Sequence, residues 1–135
     1  MQPLDKHTLF SIFEQGDEEV YIEHGVEDIL QNPYVLMGMV IRGLENFQLM
    51  DLMYKRNFPK EYGKIKKSLK YKYYTKLFHY LERIDSSNFD PKHGIGESFD
   101  VESIEFGLNS LRLYFEDIEE YEKCAVIVKY VHLLN

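Results

Sequence analysis

Apolar side chains return every three or four residues along most of this chain beyond residue 32, and that rhythm confines it to helices. Val101, Ile104, Leu108, Leu111, Phe115 and Ile118 step 3, 4, 3, 4, 3, which sets them on one face of an α-helix. Tyr62, Ile65, Leu69, Tyr73, Leu77, Tyr80 and Ile84 step 3, 4, 4, 4, 3, 4. A half-buried strand needs strict alternation, and neither run has it. Upstream, Leu36, Val40, Leu44, Phe47 and Met50 repeat helically with further apolar residues on the flanks, the pattern of a central, buried helix.

Local signals place the ends. Asn32 suits an N-cap and Pro33 the first helical position, where a missing N–H does no harm. Asn57–Pro59 breaks the chain, and the second helix begins at about Lys60, or after Gly63. Residues 85–100, DSSNFDPKHGIGESFD, read as a loop, and Asp100 caps the helix after it. A last series, Tyr121, Cys124, Val128, Val131 and Leu134, is out of phase with the preceding stripe. Either a tight hairpin turns in Glu116–Glu120 or one long helix bends there. Gly38 and Gly43 are expected to let a neighbouring helix approach closely. Residues 8–23 fit a helix stopped at Gly16, or a β-hairpin turning at Gln15–Asp17.

The expected fold is therefore a single all-α domain over 1–135, a small bundle of four to five helices near 33–54, 62–84, 100–117 and 120–134. Its expected core is Leu36, Val40, Leu44, Phe47, Ile65, Leu69, Leu77, Val101, Ile104, Leu108, Leu111, Phe115, Val128 and Val131.

Charge falls into three blocks. Residues 1–53 sum to −8, residues 54–83 to +8 and residues 84–135 to −7. A basic block between acidic ones can meet a nucleic acid or an acidic protein surface. Within it, lysines alternate with aromatics, and Lys55, Arg56, Lys64, Lys66, Lys67, Lys70, Lys72, Tyr71 and Tyr74 are the candidate binding residues. Lysines neutralise phosphates and aromatic faces stack unpaired bases. Lysine far outnumbers arginine in this block, so backbone contact would outweigh base readout. The overall charge of −7 opposes long-range attraction to a polyanion. The same lysines could instead form a solvated face complementing Glu116–Glu122.

The remaining chemistry is sparse. The only GxG, Gly94–Gly96, lacks the rest of a phosphate-binding loop. His24 with Glu27 and Asp28, and Asp90, His93, Glu97 and Asp100, fit no zincin or EF-hand spacing. A lone cysteine, Cys124, excludes an internal disulfide and reads as a small core residue. No metal or cofactor is expected. The N-terminus carries no secretion signal and the longest apolar run is far short of a membrane span. These features point to a soluble cytoplasmic protein with no membrane contact.

The tail LYFEDIEEYEKCAVIVKYVHLL resembles the UVR motif, a short antiparallel helical hairpin of nucleotide-excision-repair proteins and some stress regulators. Tyr121, Glu122, Lys123, Ala125, Ile127, Val131 and Leu134 match its second helix, while Val128 and Lys129 replace its Arg-Asp pair. The resemblance implies a protein–protein contact module over about 111–134. The function expected of the whole chain is a non-enzymatic interaction module, an adaptor or regulator that forms a homodimer. The alternatives are a nucleic-acid-binding accessory protein using residues 54–76, and a small enzyme with a site in the 90–100 loop.

Overall fold

A computed structural model describes residues 31–90 and 100–134. Four helices, α1 (Pro33–Asn57), α2 (Pro59–Glu82), α3 (Val101–Asp117) and α4 (Tyr121–His132), form two helical hairpins packed on each other. A short 3-10 turn, Ser86–Asn88, follows α2. There is no strand among the described residues. The helix-or-hairpin question at 8–23 lies outside them.

The ends obey the cap chemistry. Asn32 Oδ1 accepts from the Tyr34 and Val35 amides at 2.8 and 3.3 Å. Asp100 Oδ1 accepts from Ser103 N at 2.7 Å. Between α1 and α2 a single residue, Phe58, leaves helical geometry (φ −137°, ψ 56°). Pro59 imposes this, because its ring crowds the residue before it out of the α region while itself suiting the first helical position. Gly63 consequently lies inside α2, not ahead of it.

The α3–α4 junction is the hairpin rather than the bend. Glu120 N donates to Phe115 O at 2.9 Å and Glu119 N to Glu116 O at 3.0 Å, the paired bonds of a Schellman C-cap. Glu119 holds the left-handed position that motif requires, at φ 62°. No glycine announced the turn because a glutamate bears the strain.

Most of the expected core is buried, with Leu36, Val40, Ile104, Leu108, Leu111 and Phe115 all at 0% exposure. Ile65, Val101 and Val131 are only half-buried, at the edge of that core, and Val128 is half-buried. The stripe on α4 is corrected in phase. Ile127, Tyr130 and Leu134 are buried, whereas Tyr121 is 62% exposed. The turn resets the helix, and Lys123 occupies the first inward position, its ammonium 5.5 and 5.8 Å from the Phe78 and Phe115 ring centres. A long aliphatic stem lets a lysine cover apolar surface with its charge outward, so an apolar-only search skips that position. Of the 101–118 stripe, Ile104, Leu108, Leu111 and Phe115 are buried inside one molecule, Val101 is half-buried and Ile118 is 40% exposed.

Two glycines mark where the helices close on each other. A Cβ at Gly43 would clash with a Leu77 methyl of α2, and one at Gly107 would stand 2.6 Å from Ile41 Cδ1 of α1. Tyr130 Oη donates to Ile84 O at 2.7 Å in a buried site, fastening α4 to the exit of α2. Tyr34 meets Phe89 in a tilted ring contact at 5.3 Å and bonds the Asp90 backbone, fastening the start of α1 to the same connection.

Gly63 has open space around its missing Cβ, so Gly63→Ala is expected to stabilise the protein by about 1 kcal/mol. Gly43→Ala should lose that gain and fall between about neutral and 2 kcal/mol destabilised, because the buried Leu77 side chain must shift. Urea unfolding of the two variants tests the difference. Glu119→Gly should raise stability by about 0.5–1 kcal/mol in the same assay, since glycine adopts the left-handed cap without strain.

Candidate functional site

The basic block divides by helix face. Lys64 and Lys67 sit with Lys60 at spacings of four and three on the outer face of α2, all three exposed. Arg56 is exposed at the last turn of α1. None of Arg56, Lys64 and Lys67 has an ion pair among the described residues.

Lys55 and Lys66 are committed elsewhere. Both reach Asp51, Lys55 Nζ at 2.9 Å and Lys66 Nζ at 3.7 Å, and the Tyr62 hydroxyl donates to the same carboxylate at 2.5 Å. Asp51 thus joins α1 to α2. Partial burial alone would raise the Asp51 carboxyl, but the bonds from Tyr62 and Lys55 and the nearby Lys66 charge outweigh it and hold the group below its ordinary 3.8.

Lys70 and Tyr74 are structural too. The Lys70 ammonium lies 6.0, 5.4 and 5.2 Å from the ring centres of Phe47, Tyr74 and Tyr114. Tyr74 is 7% exposed and meets Tyr114 edge-on at 4.5 Å. Burial pushes its hydroxyl up to about 12. Tyr71, 41% exposed, gives its hydroxyl to Glu120 Oε1 at 3.0 Å. That bond ties the basic block to the Glu116–Glu122 segment through a tyrosine hydroxyl.

Lys72 leads to a feature the sequence reading did not single out. A cleft of about 380 Å³ runs along the C-terminal half of α2, lined by Lys72, Lys76, His79 and Arg83 with Tyr71 and Tyr80. A second recess of about 240 Å³ shares Lys72 and Lys76 and adds Leu69 and Tyr73. Lysine stems therefore stand between two partly apolar hollows. The basic composition to residue 83 was visible in the sequence. That Lys76 and Arg83 line the same hollow as Tyr80 depends on how α2 seats in the bundle.

Cys124 Sγ approaches Arg112 O at 3.5 Å. Burial, reinforced by the Glu116 charge, raises its thiol above the ordinary value, which suppresses the reactive thiolate. No cluster of three metal-ligating side chains occurs among the described residues. Of the two candidate ligand clusters, Asp100 serves as a helix cap, while His24, Glu27, Asp28, His93 and Glu97 lie outside the described residues. No described helix is long and apolar enough to cross a membrane. No family model, curated protein or solved structure matches this chain.

Asp51→Asn is expected to cost about 1 kcal/mol at neutral pH, the difference between a charged and a neutral hydrogen-bond acceptor. The carboxyl is depressed in the folded state, so its contribution is full above the unfolded value near 3.8 and is lost as pH falls through the lower folded value. Denaturant titrations across the acid range should show the parent and Asp51→Asn converging at low pH.

Proposed function

We propose that this protein is a non-enzymatic interaction module whose α2 face receives an acidic protein segment. One observation carries the choice of partner. The aromatics interleaved with the lysines face inward, with Tyr62 at 1% and Tyr74 at 7% exposure. Base stacking, the larger part of single-strand binding apart from phosphate contact, needs exposed rings. Of the rings in this block, Tyr71 is the most exposed, and its hydroxyl is already held by Glu120. What remains outside is lysine charge beside partly apolar hollows, a surface that suits a peptide with acids on one side and apolar side chains on the other. The helical hairpin of α3 and α4 has the form that the UVR resemblance implies, which supports a contact role for that half as well.

The reading is tested with two labelled probes, an acidic amphipathic peptide of Glu and Leu and a single-stranded oligonucleotide, followed by fluorescence anisotropy over a salt series. The parent should bind the peptide, and Lys67→Gln with Lys72→Gln and Lys76→Gln should weaken it at least tenfold with helicity unchanged. Oligonucleotide binding at physiological salt, with a salt slope falling by roughly one for each lysine removed, would replace this reading with backbone binding of nucleic acid.

A further inference from the structure

We infer that this chain associates with itself head to tail, the outer face of α1 on one copy docking on the outer face of α3 on the next. The inference rests on surfaces separate from the α2 clefts. On α1, Arg42, Leu49, Leu52, Met53 and Arg56 fall on the side away from the core and are all exposed. Leu49 and Leu52 are 62% and 65% exposed, an apolar strip without a partner among the described residues. On α3, Glu102, Phe106, Leu113 and Asp117 fall likewise on the outward side, with Phe106 at 71% and Leu113 at 52%.

The two strips complement each other in sign and in length. Cations bracket the first and carboxylates bracket the second. At a rise of 1.5 Å per residue, Arg42 and Arg56 stand about 21 Å apart along α1, and Glu102 and Asp117 about 22 Å apart along α3. Laid side by side, the two helices would bring both charged ends into register over an apolar centre. None of these four charged residues has an ion pair among the described residues. A strip of one sign does not suit its own kind, so each strip meets the other; used one at a time they make a heterologous contact that propagates, and a parent that stops at the dimer would overturn this head-to-tail arrangement. A contact of two helix faces is small and belongs to the weak, transient class. Glu45 is the one discordant group, an acid within the α1 strip that would face the acidic partner.

Sedimentation velocity on the full chain, from micromolar to near-millimolar concentration, reads the outcome. The parent should form species above twice 16.1 kDa, fewer at high salt. Leu52→Glu and Phe106→Glu should each sediment as the monomer while keeping their helical spectra. Mixed one to one, the two variants should form a dimer and nothing larger, because each retains the half-site the other has lost. Glu45→Gln should tighten self-association at least threefold. A parent that stays monomeric at the highest concentration overturns the inference, and so does a mixture that fails to pair.

Discussion

A chain of aromatic rings ties the two hairpins together, and most other features depend on it. Phe47 on α1 meets Tyr73 and Tyr74 on α2, Tyr74 meets Tyr114 on α3, and Phe78 meets Phe115, with ring centres 4.5–5.8 Å apart. Edge-on and tilted pairs of this kind add stability beyond their buried area. Two lysines cover the chain, Lys70 near one end and Lys123 near the other, each above more than one ring. The rings of the basic segment are therefore spent on cohesion. Apart from Tyr71, charge and lysine stems make up its outer surface, which leaves little ring area for stacking.

The same division explains why a block of +8 survives in so small a fold. Asp51 absorbs Lys55 and Lys66, the rings absorb Lys70, and the other lysines spread along a helix about 36 Å long at 1.5 Å per residue, with Arg56 before it and Arg83 at its end. Neighbouring like charges on its outer face repel only weakly across water and salt.

Helix positions were legible in the sequence because periodicity and caps act locally. Asn32–Pro33, Pro59 and Asp100 each set an end through the chemistry of one or two residues. What the sequence hid was set by contacts across the bundle. Lys123 takes an inward position that only the neighbouring rings justify. The Glu119 turn gave no sign because its left-handed residue is not glycine. Gly107 looks like any helix glycine until Ile41 is placed against it. Among the candidate binding residues, charge alone could not separate Lys64 and Lys67, which face water, from Lys70, which covers rings. The separation depends on which side of α2 meets α1 and α3.

The contacts of this molecule are concentrated within each hairpin, α1 with α2 and α3 with α4, and are sparser between them. Local openings follow the least connected boundary. The ring chain and the Tyr130–Ile84 bond therefore mark the seam along which the domain would part into two cooperative units, each keeping its own turn and most of its backbone protection. Amide exchange would see that seam as slow loss of protection shared by residues of one hairpin together. A partner gripping α2 alone would leave the other hairpin free to breathe, whereas one spanning both would seal it.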